Sequence, residues 1–87
     1  MRDVKAVIGV IMRVLDGGEI SPDEVFEIEF EAEGELLAAL NNAYIKLLEF
    51  ADDRERRMED RHLDESERAA LHDALNEIVR LSDVKSE

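Results

Sequence analysis

The chain has 87 residues and no cysteine; 45% of it is apolar, 39% is charged, and the formal net charge is −12. That length allows one domain with one modest core, hiding roughly 60% of the surface of the unfolded chain, and the composition is too apolar for disorder. Missing thiols exclude disulfide staples, zinc–thiolate sites and cysteine nucleophiles, and the negative charge argues against nucleic acid or anionic lipid as a partner.

The first expected helix runs from about Val4 to Asp16, with Asp3 as N-cap. Val4, Val7, Ile8, Ile11, Val14 and Leu15 recur at helical spacing, and Val10 and Met12 widen the stripe. Its β-branched content keeps a strand open as an alternative. Lys5 and Arg13 interrupt the run, which is too short to cross a bilayer. No segment reads as a signal peptide or a membrane span, so the cytoplasm is the default location. Gly17-Gly18 stops the element.

Ser21-Pro22-Asp23-Glu24 has the spacing of a capping box, with Ile20 placed to staple onto Val25. A helix therefore starts at Pro22. From Phe26 to Glu33 apolar and acidic residues alternate, which is the period of a half-buried strand. We favour helix there because the cap is strong and glutamate is a good helix former, with the strand left open. Gly34 breaks or kinks the run.

The clearest stripe follows: Leu36, Leu37, Leu40, Ala43, Tyr44, Leu47, Leu48 and Ala51. Residues 52–64 are dense in charge and fit either a helix extension or a solvated loop. Asp64 and Glu67 have cap-box spacing ahead of a last helix carrying Leu71, Ala74, Leu75, Ile78 and Val79. Residues 83–87 read as a disordered tail. The expected fold is all-α: a single bundle of three to four amphipathic helices over residues 1–87, with 26–33 the one segment open to β structure.

Chemistry is thinly supported. His62 and His72, with Asp64 and Asp73, match no familiar metal-ligand spacing. No serine sits in a nucleophile-elbow context. Acidic pairs are too common to single out an acid and a base. No catalytic residue, metal ligand or cofactor site is expected. Arg54, Arg56, Arg57 and Arg61 are interleaved with acids and read as a solvated face; Asp53–Arg57 is a favourable i,i+4 pair.

The charge map carries more. Nine acids fall between Asp16 and Glu35, against fourteen acids and eleven bases in the rest of the chain. No Lys or Arg lies between Gly17 and Tyr44. Such a face steers a basic partner, and neighbouring aromatic rings anchor it. The candidate contact residues are Asp23, Glu24, Phe26, Glu27, Phe30, Glu31 and Glu35. Helix and strand would present these glutamates differently, spread over several faces or lined along one. A plain solvated face is the alternative.

The run Val14-Leu15-Asp16-Gly17-Gly18-Glu19-Ile20-Ser21-Pro22-Asp23-Glu24-Val25-Phe26 resembles the opening of colicin-like immunity proteins. The resemblance covers the first half of the chain and implies a small, acidic, helical protein of bacterial type. It implies stoichiometric inhibition of a nuclease toxin by covering its basic surface, without catalytic residues. A protein-interaction module, immunity-like or antitoxin-like, is the expected function. Self-association through the wide apolar face of the first helix, as a homo-oligomer, is the second.

Overall fold

A computed structural model describes residues 4–86, with side chains for 4–82. Five helices follow one another: α1 (Val4–Leu15), α2 (Pro22–Phe26), α3 (Gly34–Asp52), α4 (Arg54–Glu59) and α5 (Arg61–Ser86). The longest, α5, packs against α1, α3 and α4, and α3 packs against the other four. The core lies between them. Phe50, Ile11, Leu40, Leu47, Leu71 and Ile78 are fully buried, each worth about 1.5–3 kcal/mol of transfer free energy.

The expected starts and stops at 16–24 are present. Gly17 has φ +100°. Its N–H donates to the Val14 carbonyl at 3.1 Å, and the Gly18 N–H donates to the Arg13 carbonyl at 3.0 Å. That pair of bonds is a Schellman closure of α1. At α2 the Glu24 N–H donates to Ser21 Oγ at 3.2 Å, and the Ser21 N–H donates to Glu24 Oε1 at 3.1 Å. Ile20 and Val25 are both buried. The Asp3 cap lies outside the described residues.

Of the segment 26–33 only Phe26 is helical, and 27–33 form neither the favoured helix nor the alternative strand. Helix α2 ends at Phe26, and 28–33 form a connection with no regular structure. The alternation nevertheless has a cause. Ile28, Phe30 and Ala32 pack against the core, while Glu27, Glu29, Glu31 and Glu33 are exposed. A segment that lies along a core with alternate side chains turned in repeats like a strand, and among the described residues no strand pairs with it. Gly34, with φ +64°, turns this connection into α3.

The charged stretch 52–64 is helical except at two joints. Asp53 separates α3 from α4, and Asp60 separates α4 from α5. The α5 cap is Asp60 rather than the expected Asp64: Asp60 Oδ1 accepts from the Leu63 N–H at 3.2 Å. Asp64 is thereby released to the interior of the first turn. The tail expected at 83–87 is described as backbone through Ser86, as the end of α5; Glu87 lies outside the described residues.

Candidate interaction surface

The acidic segment leaves α1 and crosses α2 to the first turn of α3. Asp23 is exposed in the first turn of α2. Glu24 closes the capping box and also accepts from Arg13 Nη2 at 3.1 Å. The Ser21 N–H and then Arg13 hold its carboxyl below the usual range. Phe26 ends α2 with 62% of its surface exposed. Glu27, Glu31 and Glu35 are exposed. Phe30 is half-buried, with its ring edge-on to Tyr44 at 6.2 Å. Phe30 and Glu31, with Ile28, Glu29, Asn41 and Tyr44, line an open groove of about 410 Å³. Of the two candidate anchors, then, Phe26 is free to be covered and Phe30 is partly committed to the fold.

Glu19 belongs to the same acidic run but turns the other way. It meets two arginines that the sequence had placed in solvent or left unremarked. Arg57 of α4 is 3% exposed, which corrects its reading as part of a solvated face. Its Nη2 and Nη1 donate to Glu19 Oε1 at 2.9 Å and to Asp64 Oδ1 at 2.9 Å. Arg68 of α5 donates to Asp64 Oδ2 at 2.9 Å and to Glu19 Oε2 at 3.1 Å. The four side chains therefore form a closed ring of alternating charge.

Each arginine also ends a helix. Arg57 Nε and Nη2 donate to the Phe50 carbonyl, at 3.0 and 2.7 Å, in the last turn of α3. Arg68 Nη1 donates to the carbonyls of Val14, in the last turn of α1, and Gly18. Carbonyls there have no partner inside the helix, and a cation offsets the negative end of the dipole. The Phe50 ring lies beneath both guanidinium groups, 3.4 Å from Arg57 Cζ and 4.9 Å from Arg68 Cζ. The expected Asp53–Arg57 side-chain pair is replaced by Asp53–Arg56 at 3.3 Å.

Electrostatics follow the geometry. The Arg57 hydrogen bond holds Glu19 below its ordinary value against the cost of burial. Arg68, then Arg57, does the same for Asp64. Burial opposes the Arg57 charge, but the hydrogen bonds to Glu19 and Asp64 outweigh it and its pKa is raised. These shifts favour the charged forms of Glu19, Asp64 and Arg57, and the ring serves as a staple between α1, α4 and α5.

His62 and His72 are both exposed. Among the described residues no group of three His, Cys, Asp or Glu is placed to hold a metal ion. Among them, too, no helix is long and apolar enough to cross a membrane. Comparison with protein-family models, with curated proteins and with solved structures gives no match.

Proposed function

We propose that this chain is a non-enzymatic interaction module that binds a basic protein through segment 16–35. The observation that carries the reading is the outward alternation at 27–33, next to the exposed Phe26 ring. Glu27, Glu29, Glu31 and Glu33 present charge together, while Ile28, Phe30 and Ala32 fix the backbone beneath them. Charge of this kind accelerates encounter, and a desolvated aromatic ring supplies affinity. Glu19 and Glu24 are committed to internal partners, so steering falls to Asp23, Glu27, Glu31 and Glu35. In its sharpest form, supported by the resemblance at 14–26, the partner is a basic toxin and the module an immunity-like inhibitor acting in the cytoplasm.

The test is capture of partners from the source cells on immobilised wild type and on a Phe26→Ala/Glu27→Lys/Glu31→Lys variant, at about 50 and 500 mM salt. A basic protein held by the wild type at low salt, and lost with the variant or at high salt, is the expected result. Retention indifferent to both changes overturns it.

A second reading, self-association, rests on Met12, which is 55% exposed on α1. The apolar face there is narrower than the sequence suggests, because Val14 is fully buried and Val10 half-buried. Sedimentation that stays monomeric at high concentration removes this reading.

A further inference from the structure

The groove between the acidic connection and α3 has walls of two kinds. Phe30 comes from the connection and Tyr44 from α3, and their ring planes meet at 65° with centroids 6.2 Å apart. The exposed Glu29, Glu31 and Asn41 side chains form its rim. None of the residues lining it is basic. Four other open depressions among the described residues each hold an arginine, namely Arg13, Arg54 or Arg80. Leu37 and Ile45 lie one helical turn before and after Asn41 on α3, and both are exposed. The strip beside the groove is therefore apolar and left open by the fold.

Inside the chain, the same set of groups already holds a guanidinium. Arg57 lies over the Phe50 ring, 3.4 Å from its centroid, while its N–H groups donate to Glu19, Asp64 and the Phe50 carbonyl. A guanidinium is planar and weakly hydrated, so it can face a ring and still donate in its own plane. We propose that the groove seats an arginine side chain of the basic partner, with its guanidinium against the Phe30 and Tyr44 rings and its N–H groups on the Glu31 carboxylate and the Asn41 side-chain oxygen. The inference rests on the reading that segment 16–35 binds a basic protein, and it names the side chain taken and where. The groove, about 410 Å³, is near the small end of the roughly 300–1,000 Å³ that small ligands fill, which suits one side chain. A lysine would answer the acidic rim equally but gain less from the rings, because its ammonium is compact and strongly hydrated. A second copy of the chain brings the same net charge of −12 and is repelled.

Titration with a blocked tetra-arginine peptide and with its tetra-lysine counterpart, at about 50 mM salt, tests the seat. The chain has one tyrosine and no tryptophan, so its fluorescence reports on Tyr44 in the groove, and NMR follows the Phe30 and Tyr44 ring protons. The arginine peptide should bind tighter by on the order of threefold and shift both rings. Asn41→Lys, which puts a cation of the chain's own into the groove, should weaken arginine-peptide binding about tenfold. Asn42→Lys makes the same charge change at the next exposed position, which does not line the groove, and should cost less than about threefold. Equal affinity for the two peptides, ring protons unmoved by the arginine peptide, or equal effects of the two substitutions overturns the arginine seat and leaves the basic-partner reading standing. Should neither peptide bind, that reading falls together with the seat. The comparison of peptides on the wild type needs no variant and decides alone if Asn41→Lys fails to fold.

Discussion

Arg57 is the residue with the most at stake. Its guanidinium meets two carboxylates, a helix-terminal carbonyl and an aromatic face while its side chain is 1% exposed. An ion pair this buried is not proof of net stabilisation, because desolvation offsets much of the attraction. Breaking it is another matter. Arg57→Met keeps the apolar stem but leaves Glu19, Asp64 and Glu67 facing one another and the Phe50 carbonyl unpartnered. We expect a loss of about 3–5 kcal/mol in urea unfolding at pH 7. Arg57→Lys should recover only part of it, since an ammonium cannot match the planar fork of contacts. A change within about 1 kcal/mol for the Met variant would show that the ring carries little of the fold.

At the scale of elements, the turn at 16–24 concentrates two local devices in nine residues. Ser21→Ala removes the acceptor for the Glu24 N–H and should cost about 1 kcal/mol. Gly17→Ala places a Cβ at φ +100° and should cost a further ~1 kcal/mol. Thermal unfolding of each single variant measures both, and a Gly17→Ala protein as stable as wild type would contradict the left-handed turn. These devices were legible because they are written in adjacent residues and depend on nothing distant. The segment 26–33 was legible only by half. Its period of two told which of 27–33 face in but not that Phe26, in phase with them, is left exposed; a strand requires a partner strand, and that depends on the rest of the chain. Arg57 was not legible at all. It shares a charged run with Arg54, Arg56 and Arg61, and Met58 next to it looks more like a core residue. The break at Asp53 sets the phase of α4 so that Arg57 turns in and Met58 is left 74% exposed. Only the three-dimensional meeting with Glu19, 38 residues earlier, accounts for its burial.

For the whole molecule, the balance of charge makes salt an informative variable. The net charge is −12, and the glutamates at 27–35 are exposed with no Lys or Arg between them in the sequence. Self-repulsion of this kind opposes the compact state and is screened by ions. Exposed pairs such as Arg13–Glu24 and Arg80–Glu77, each about half in solvent, lose strength with salt, but solvent-exposed pairs contribute little to begin with. The Arg57 ring is shielded and should respond little. Repulsion therefore dominates, and raising NaCl from about 10 to 500 mM should lift the melting temperature by roughly 5 °C, the shift that ~1 kcal/mol produces in a domain this small. A falling melting temperature would mean that surface ion pairs outweigh the repulsion of segment 16–35. Partner binding through that segment should move the other way, because the field that strains the free fold is the one that draws a basic surface in. Measuring both on one preparation separates a segment whose acidity serves recognition from one that is acidic without a partner: in the second case stability rises with salt and no captured protein is lost.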